Sequence, residues 1–168
     1  ELLKACHEAA SESDFNFDQV WQKRLSDAIA EFKPDLIGIT CMFTMTHESL
    51  KRVCQYAANS GVTVAIGGVH ITNAMERVLN DIPVVRIAFL READVALKLF
   101  CRVMNGELGP ENLGQIVFND ETGRIRISRE CRPDSDEMDV IPAYDLFDVS
   151  NLSRYGVIGN FHWFKPPE

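Results

Sequence analysis

Short runs of β-forming apolar residues alternate along this chain with longer stretches of helical period, and that alternation admits few architectures. Residues 35–40 (DLIGIT), 62–66 (VTVAI) and 84–90 (VVRIAFL) read as strands. Between and around them, Trp21, Leu25, Ala28, Ile29 and Phe32 fall on one helical face, as do Leu50, Val53, Cys54 and Ala57. Ala93, Ala96, Leu97, Phe100, Cys101 and Met104 trace a third such face, and residues 72–80 are a fourth helix. Strands apolar along their whole length, each followed by a helix, predict an α/β protein. Its parallel sheet is doubly wound and covered by helices on both sides.

Local signals set the expected boundaries. Asp18 is available as an N-cap for a helix over 18–32, which Lys33-Pro34 stops. Thr46 caps a helix over 46–59 that ends at Ser60-Gly61, and Asn73 with Glu76 offers a capping box for the helix over 72–80. Asn105-Gly106 closes the last helix. Beyond Gly109 the pattern changes to two short runs, 115–118 and 124–128, joined by a Gly-containing loop, which is a β-hairpin. Residues 130–142 are acidic and flanked by Pro133 and Pro142, as in a connector. The expected organisation is an α/β domain over 1–108, a hairpin appendage over 109–130 and a linker over 131–168.

Several function classes are disfavoured at once. A formal net charge of -8, with no stripe of Lys or Arg, suits neither nucleic acid nor an anionic membrane. Apolar stretches break within about ten residues, short of a membrane span, and the N-terminus has no basic-then-apolar leader, so a cytoplasmic protein is expected. The five cysteines, at 6, 41, 54, 101 and 131, form no CxxC pair and read as reduced thiols. Neither GxSxG, HExxH, a Walker-type loop nor GxGxxG occurs.

Ligands of an open parallel sheet bind beyond the carboxyl ends of its strands, so the informative residues follow each strand. Gly67-Gly68 lets the backbone approach a bulky ligand ahead of a helix N-terminus, or else makes a tight turn. His70 is either a hydrogen-bonded structural residue or a metal ligand, although no second ligand stands at suitable spacing. Thr40, Thr44 and Thr46, with His47, offer polar groups at the mouth of the first strand. Glu92, after Arg91, suits the start of the last helix electrostatically whatever else it does. A small-molecule enzyme working at residues 67–73 would have only His70 and His47 as general acid or base.

The blocks KPDLIGIT, VTVAIGGVHIT, READVALKLF and DVIPAYDLFD, in this order and spacing over residues 34–146, resemble the cobalamin-binding domain of cobalamin-dependent radical SAM enzymes. The resemblance implies a Rossmann-like, flavodoxin-like fold, with a corrin over the strand ends and its nucleotide tail beside the sheet. It implies cofactor contacts at Thr40, Met42, Thr44, Gly67, Gly68, Val69, His70 and Glu92. The family's glycine before the acid is replaced here by Arg91, and no DxHxxG motif is present, so the resemblance implies no cobalt-coordinating histidine. It places a first strand upstream of position 18, where residues 1–17 contain no convincing strand, so the domain over 1–108 is expected to lack its first strand; it also places a CxxxCxxC cluster motif downstream of this chain. The chain is therefore expected to be a cobalamin-binding module, not catalytic alone, whose partner is a radical SAM domain. S-adenosylmethionine and a [4Fe-4S] cluster would belong to that absent domain. The alternative is a degenerate α/β docking or regulatory domain that binds no cobalamin.

Overall fold

A computed structural model describes residues 16–119, 122, 124–130 and 141. Two compact units make up the chain, residues 27–139 and residues 1–26 with 140–168, and the sheet belongs wholly to the first. Helix α1 (Phe17–Phe32) leads to strand β1 (Leu36–Thr40), a 3-10 turn (Thr44–Thr46) and α2 (His47–Ala58). Strand β2 (Thr63–Gly67), α3 (Val69–Asp81), β3 (Ile87–Phe89) and α4 (Asp94–Met104) follow. Strands β4 (Ile116–Asn119) and β5 (Ile125–Ile127) complete the order. Residues 1–15, where the first strand was expected to be lacking, and residues 131–140 of the acidic connector fall outside the described residues.

The five strands lie in the order β1-β2-β3-β4-β5. β1 and β2 run parallel over five pairs, from Leu36 opposite Thr63 to Thr40 opposite Gly67, and β3 continues parallel through Ala65 opposite Ile87. β4 then pairs antiparallel with β3, and β5 antiparallel with β4. The hairpin expected as an appendage thus extends the sheet, which is mixed rather than wholly parallel.

Two-residue periodicity divides the apolar residues between the faces. On one face Ala65, Ile87, Phe89 and Ile116 pack with Ala96 and Phe100 of α4 and with Leu113. Phe89 and Phe100 meet edge to face, with ring centroids 5.6 Å apart. The crossovers β1-α2-β2 and β2-α3-β3 step the same way across the sheet, so right-handedness sets both helices on the opposite face. There Leu50, Cys54 and Ala57 of α2 and Ile71, Val78 and Leu79 of α3 are buried. Helices cover both faces, as a doubly wound protein requires. α1 contributes least: none of its residues is buried, and Phe32 is 81% exposed.

Three boundaries differ from expectation for identifiable reasons. Asn16, not Asp18, caps α1: its Oδ1 accepts from the backbone N–H groups of Asp18 and Gln19 at 3.0 and 3.3 Å, while Asp18 accepts from Trp21 Nε1. α3 starts at Val69 rather than at residue 72, so Asn73 lies within its span, beside a break. The helix breaks at Ala74 (φ -133°, ψ 30°). Strand β3 is confined to Ile87–Phe89 because the start of its apolar run turns, with Val85 N–H donating to the Ile82 carbonyl. Ile82 and Val85 are fully buried, so they serve the core without joining the sheet.

Candidate functional site

The carboxyl ends of β1, β2 and β3 are stitched together by their own loops. Cys41 N–H donates to Gly67 O at 2.8 Å, and His70 N–H donates to Cys41 O at 3.2 Å. This brings the end of β1 against the start of α3. Gly68, at φ +107°, lies in the crossing: a Cβ there would stand 2.5 Å from Cys41 O and 3.0 Å from Thr40 Oγ1. The demand for glycine at 68 therefore comes from the chain itself, through both conformation and space.

The third loop joins the second through a side chain. Thr72 Oγ1 donates to Gly68 O at 3.2 Å and accepts from Arg91 N–H at 2.9 Å. Leu90 N–H donates to Gln115 O at 2.9 Å, which ties the same loop to the hairpin. Arg91 has φ +57° and ion-pairs through its guanidinium with Glu130. Glu92 is exposed in this loop.

Around these ends lies uncovered surface of two kinds. Gly38, Thr40 and Gly67 share the face that carries α4, because Gly38 pairs with Ala65 and Thr40 with Gly67. Among the described residues, a Cβ on Gly38 would have nothing within 4 Å, and one on Gly67 would make only ordinary contacts, at 3.6 and 3.7 Å, with Phe89. Internal packing therefore does not require glycine at 38 or 67, and together they leave a stripe of bare backbone. Beside the strand ends, Met42, Phe43, Met45 and Val69 are 51%, 65%, 88% and 50% exposed. On the other face a pocket of 180 Å³ between β1 and α2 is lined by Ile39, Thr40, Cys41, Thr46, Ser49, Leu50 and Val53. It falls below the ~300 Å³ of the smallest usual ligand pockets.

A polar network runs from the end of β1 across α2 and α3. Thr44 Oγ1 lies 3.2 Å from His70 Nδ1, His70 Nε2 lies 3.0 Å from His47 Nδ1, and His47 Nε2 lies 2.8 Å from Asp81 Oδ2. Lys51 Nζ donates to Asp81 Oδ1, also at 2.8 Å. His70 is buried, and both its ring nitrogens lie within hydrogen-bonding distance of a partner. Burial, then the neighbouring His47 and Arg77, pushes its imidazole below the ordinary histidine range. Hydrogen bonds from Lys51 and His47 hold the Asp81 carboxyl below the usual carboxylate value, and the same bond raises Lys51.

Of the residues expected to form the site, Thr40, Gly67, Gly68 and His70 converge, and Thr44 joins them through His70. Met42 and Val69 flank them on the surface, while Glu92 belongs to the third loop. Thr46 occupies the N-cap position of α2 but makes no cap bond. Its hydroxyl donates instead to Phe43 O at 2.8 Å. Asp81 and Lys51 escaped the sequence reading, although one signal was present. An acid in the last turn of a helix opposes the macrodipole, and α3 has no base there to offset it, so Asp81 needed partners from elsewhere.

Among the described thiols, Cys41 and Cys54 are buried and Cys101 is exposed, and burial pushes Cys54 up to about 12. Among the described residues no cluster of three or more His, Cys, Asp or Glu could hold a metal ion, and no helix is long and apolar enough to cross a membrane.

A model of the family described as B12 binding domain matches residues 2–100. The cytidylyl-2-hydroxyethylphosphonate methyltransferase of Streptomyces wedmorensis is 27% identical over 120 residues, 67% of this chain and 22% of that enzyme. Two solved structures share the fold. One is the cobalamin-dependent S-adenosylmethionine radical enzyme OxsB with aqua-cobalamin and S-adenosylmethionine bound (TM-score 0.53, 17% identity, 67% of this chain, 16% of that one). The other is the radical S-adenosylmethionine methyltransferase TsrM from Kitasatospora setae with cobalamin and a [4Fe-4S] cluster (TM-score 0.58, 15% identity, 79% and 26%). This chain thus spans about a quarter or less of each of these relatives.

Proposed function

Since the chain belongs to the B12 binding domain family, we propose that it is a cobalamin-binding module, serving a radical SAM domain of the kind its relatives carry. The bare backbone at Gly38 and Gly67, beside the small side chain of Thr40, carries this reading, because a sheet face with so little side chain at the carboxyl ends suits a bulky ligand packed against backbone. The residues present fit cobalamin. The stripe accommodates the nucleotide tail, exposed Met42, Phe43 and Val69 offer apolar contact to the corrin, and the Thr40 and Thr44 hydroxyls suit its amide rim.

When bound, cobalamin supplies a cobalt centre able to accept and pass on a methyl group. The chain's own part is to orient the cofactor and shield one side of it from water. Gly68 holds the β1 loop against α3, and the Thr72 bridge holds the third loop in register with the second. No side chain here is assigned a bond-making step.

Binding is tested by titrating the chain with hydroxocobalamin, followed by gel filtration. Corrin absorbance retained with the protein in wild type and lost in Gly38→Leu supports the proposal. Clean separation from the wild-type chain overturns it and favours a docking scaffold of the same fold.

A further inference from the structure

The order of donors along Thr44, His70, His47 and Asp81 is fixed by its last member. Asp81 is an ionised carboxylate and only accepts, so His47 Nε2 carries the hydrogen that meets Asp81 Oδ2 at 2.8 Å. A neutral His47 then has a bare Nδ1, which must accept from His70 Nε2 at 3.0 Å. His70 Nδ1 is bare in turn, and the Thr44 hydroxyl donates to it at 3.2 Å. Each bond dictates the next, and the Thr44 proton points inward while its lone pairs face outward from an exposed residue at the strand ends.

The geometry points to a one-way hydrogen-bond relay in which the state of the His47–His70 pair decides whether the Thr44 hydroxyl accepts from, or donates to, a ligand at the strand ends. This rests on the proposed cobalamin site and adds the chemistry of one contact. With both imidazoles neutral, Thr44 offers an acceptor, suited to a primary amide N–H such as those on the corrin rim. When one proton is added, His47 uses Nδ1–H to donate to His70 Nε2, and His70 uses Nδ1–H to donate to Thr44. The hydroxyl proton is then released outward, toward a carbonyl or anionic oxygen.

The proton enters at the far end: Asp81 is 41% exposed, whereas His47 is 19% exposed and His70 is buried. Among the described residues, the charged groups around the pair are Asp81 and Lys51 at that entrance, Glu48 beside Lys51, and Arg77 near His70. The break at Ala74 belongs to the same arrangement. His70 and Asp81 are eleven positions apart, about 16 Å along a straight helix, yet both meet His47.

Two readouts test the relay in the full chain. Long-range proton–nitrogen correlation spectra of the free protein at alkaline pH, with the pair neutral, are expected to show both imidazoles with hydrogen on Nε2, and at acid pH, once the pair has taken up one proton, hydrogen on both Nδ1 atoms. A Nδ1–H tautomer for either histidine at the higher pH overturns the relay, whatever the chain binds. With hydroxocobalamin as the probe, affinity is expected to shift about tenfold between those pH values in wild type and to become flat in Thr44→Val and Asp81→Leu. A pH profile unchanged in Thr44→Val overturns the inference while leaving cobalamin binding intact. If the wild type retains no cobalamin at any pH, the proposed function fails, and the tautomer spectra still decide the relay.

Discussion

Gly68 and Cys41 meet so closely that a Cβ at position 68 would lie 2.5 Å from the Cys41 carbonyl oxygen. That oxygen also accepts from His70 N–H, so it cannot retreat without breaking the link between β1 and α3. Gly68→Ala is therefore expected to lower stability by about 2–4 kcal/mol, from the positive φ and the backbone shift together. Urea denaturation reads it as a lower midpoint at unchanged slope.

Gly38→Leu should behave in the opposite way. With no described residue within 4 Å of its Cβ and a strand conformation, the substitution is expected to change stability by less than about 1 kcal/mol. Cobalamin retention is expected to fall at least about tenfold, since the side chain fills the bare stripe. Comparing thermal unfolding with corrin retention separates the two effects.

Phe100→Ala removes a buried ring that meets Phe89 edge to face and is expected to cost about 3–5 kcal/mol. The sheet should lose its α4 layer first. Amide exchange of α4 read against that of β2 tests this order.

Stability should vary with pH at three points, with signs set by the network. His70 is held below its ordinary value of 6.5, so the unfolded chain binds its proton more readily. Stability is complete above that value and is lost as the pH falls through the folded one. Asp81, also lowered, contributes stability above 3.8 that is lost on further acidification. Lys51 is raised, so its contribution is present below 10.5 and disappears as the pH rises through its folded value. Denaturation midpoints across this range should flatten at the acid end in Asp81→Asn and at the alkaline end in Lys51→Met.

The layered architecture was legible because burial on both faces writes itself as unbroken apolar runs: Leu36–Thr40 and Thr63–Gly67 form within one residue of the expected spans. Ends decided by one hydrogen bond were less legible. Asn16 displaced Asp18 as a cap although both residue types suit the position. The strand-end loops were legible in kind, since strand carboxyl ends are where such sheets bind, but not in division of labour. Gly67 and Gly68 look alike in sequence, yet only Gly68 is required by a neighbouring backbone, and Gly38 showed no signal until its register opposite Ala65 was known. The relay depends on His47, His70 and Asp81 from two helices, a proximity that no spacing rule encodes.

Antiparallel steps come in twos in this sheet, and parity has a topological effect. β4 begins beside Phe89 at the carboxyl end of β3 and descends to Asn119. β5 climbs again, bringing Ile127 level with Val117 and Glu130 to the Arg91 guanidinium. One reversal would have sent the polypeptide out at the bottom of the sheet. Two reversals cancel, so Glu130 returns to the same rim as the first three loops.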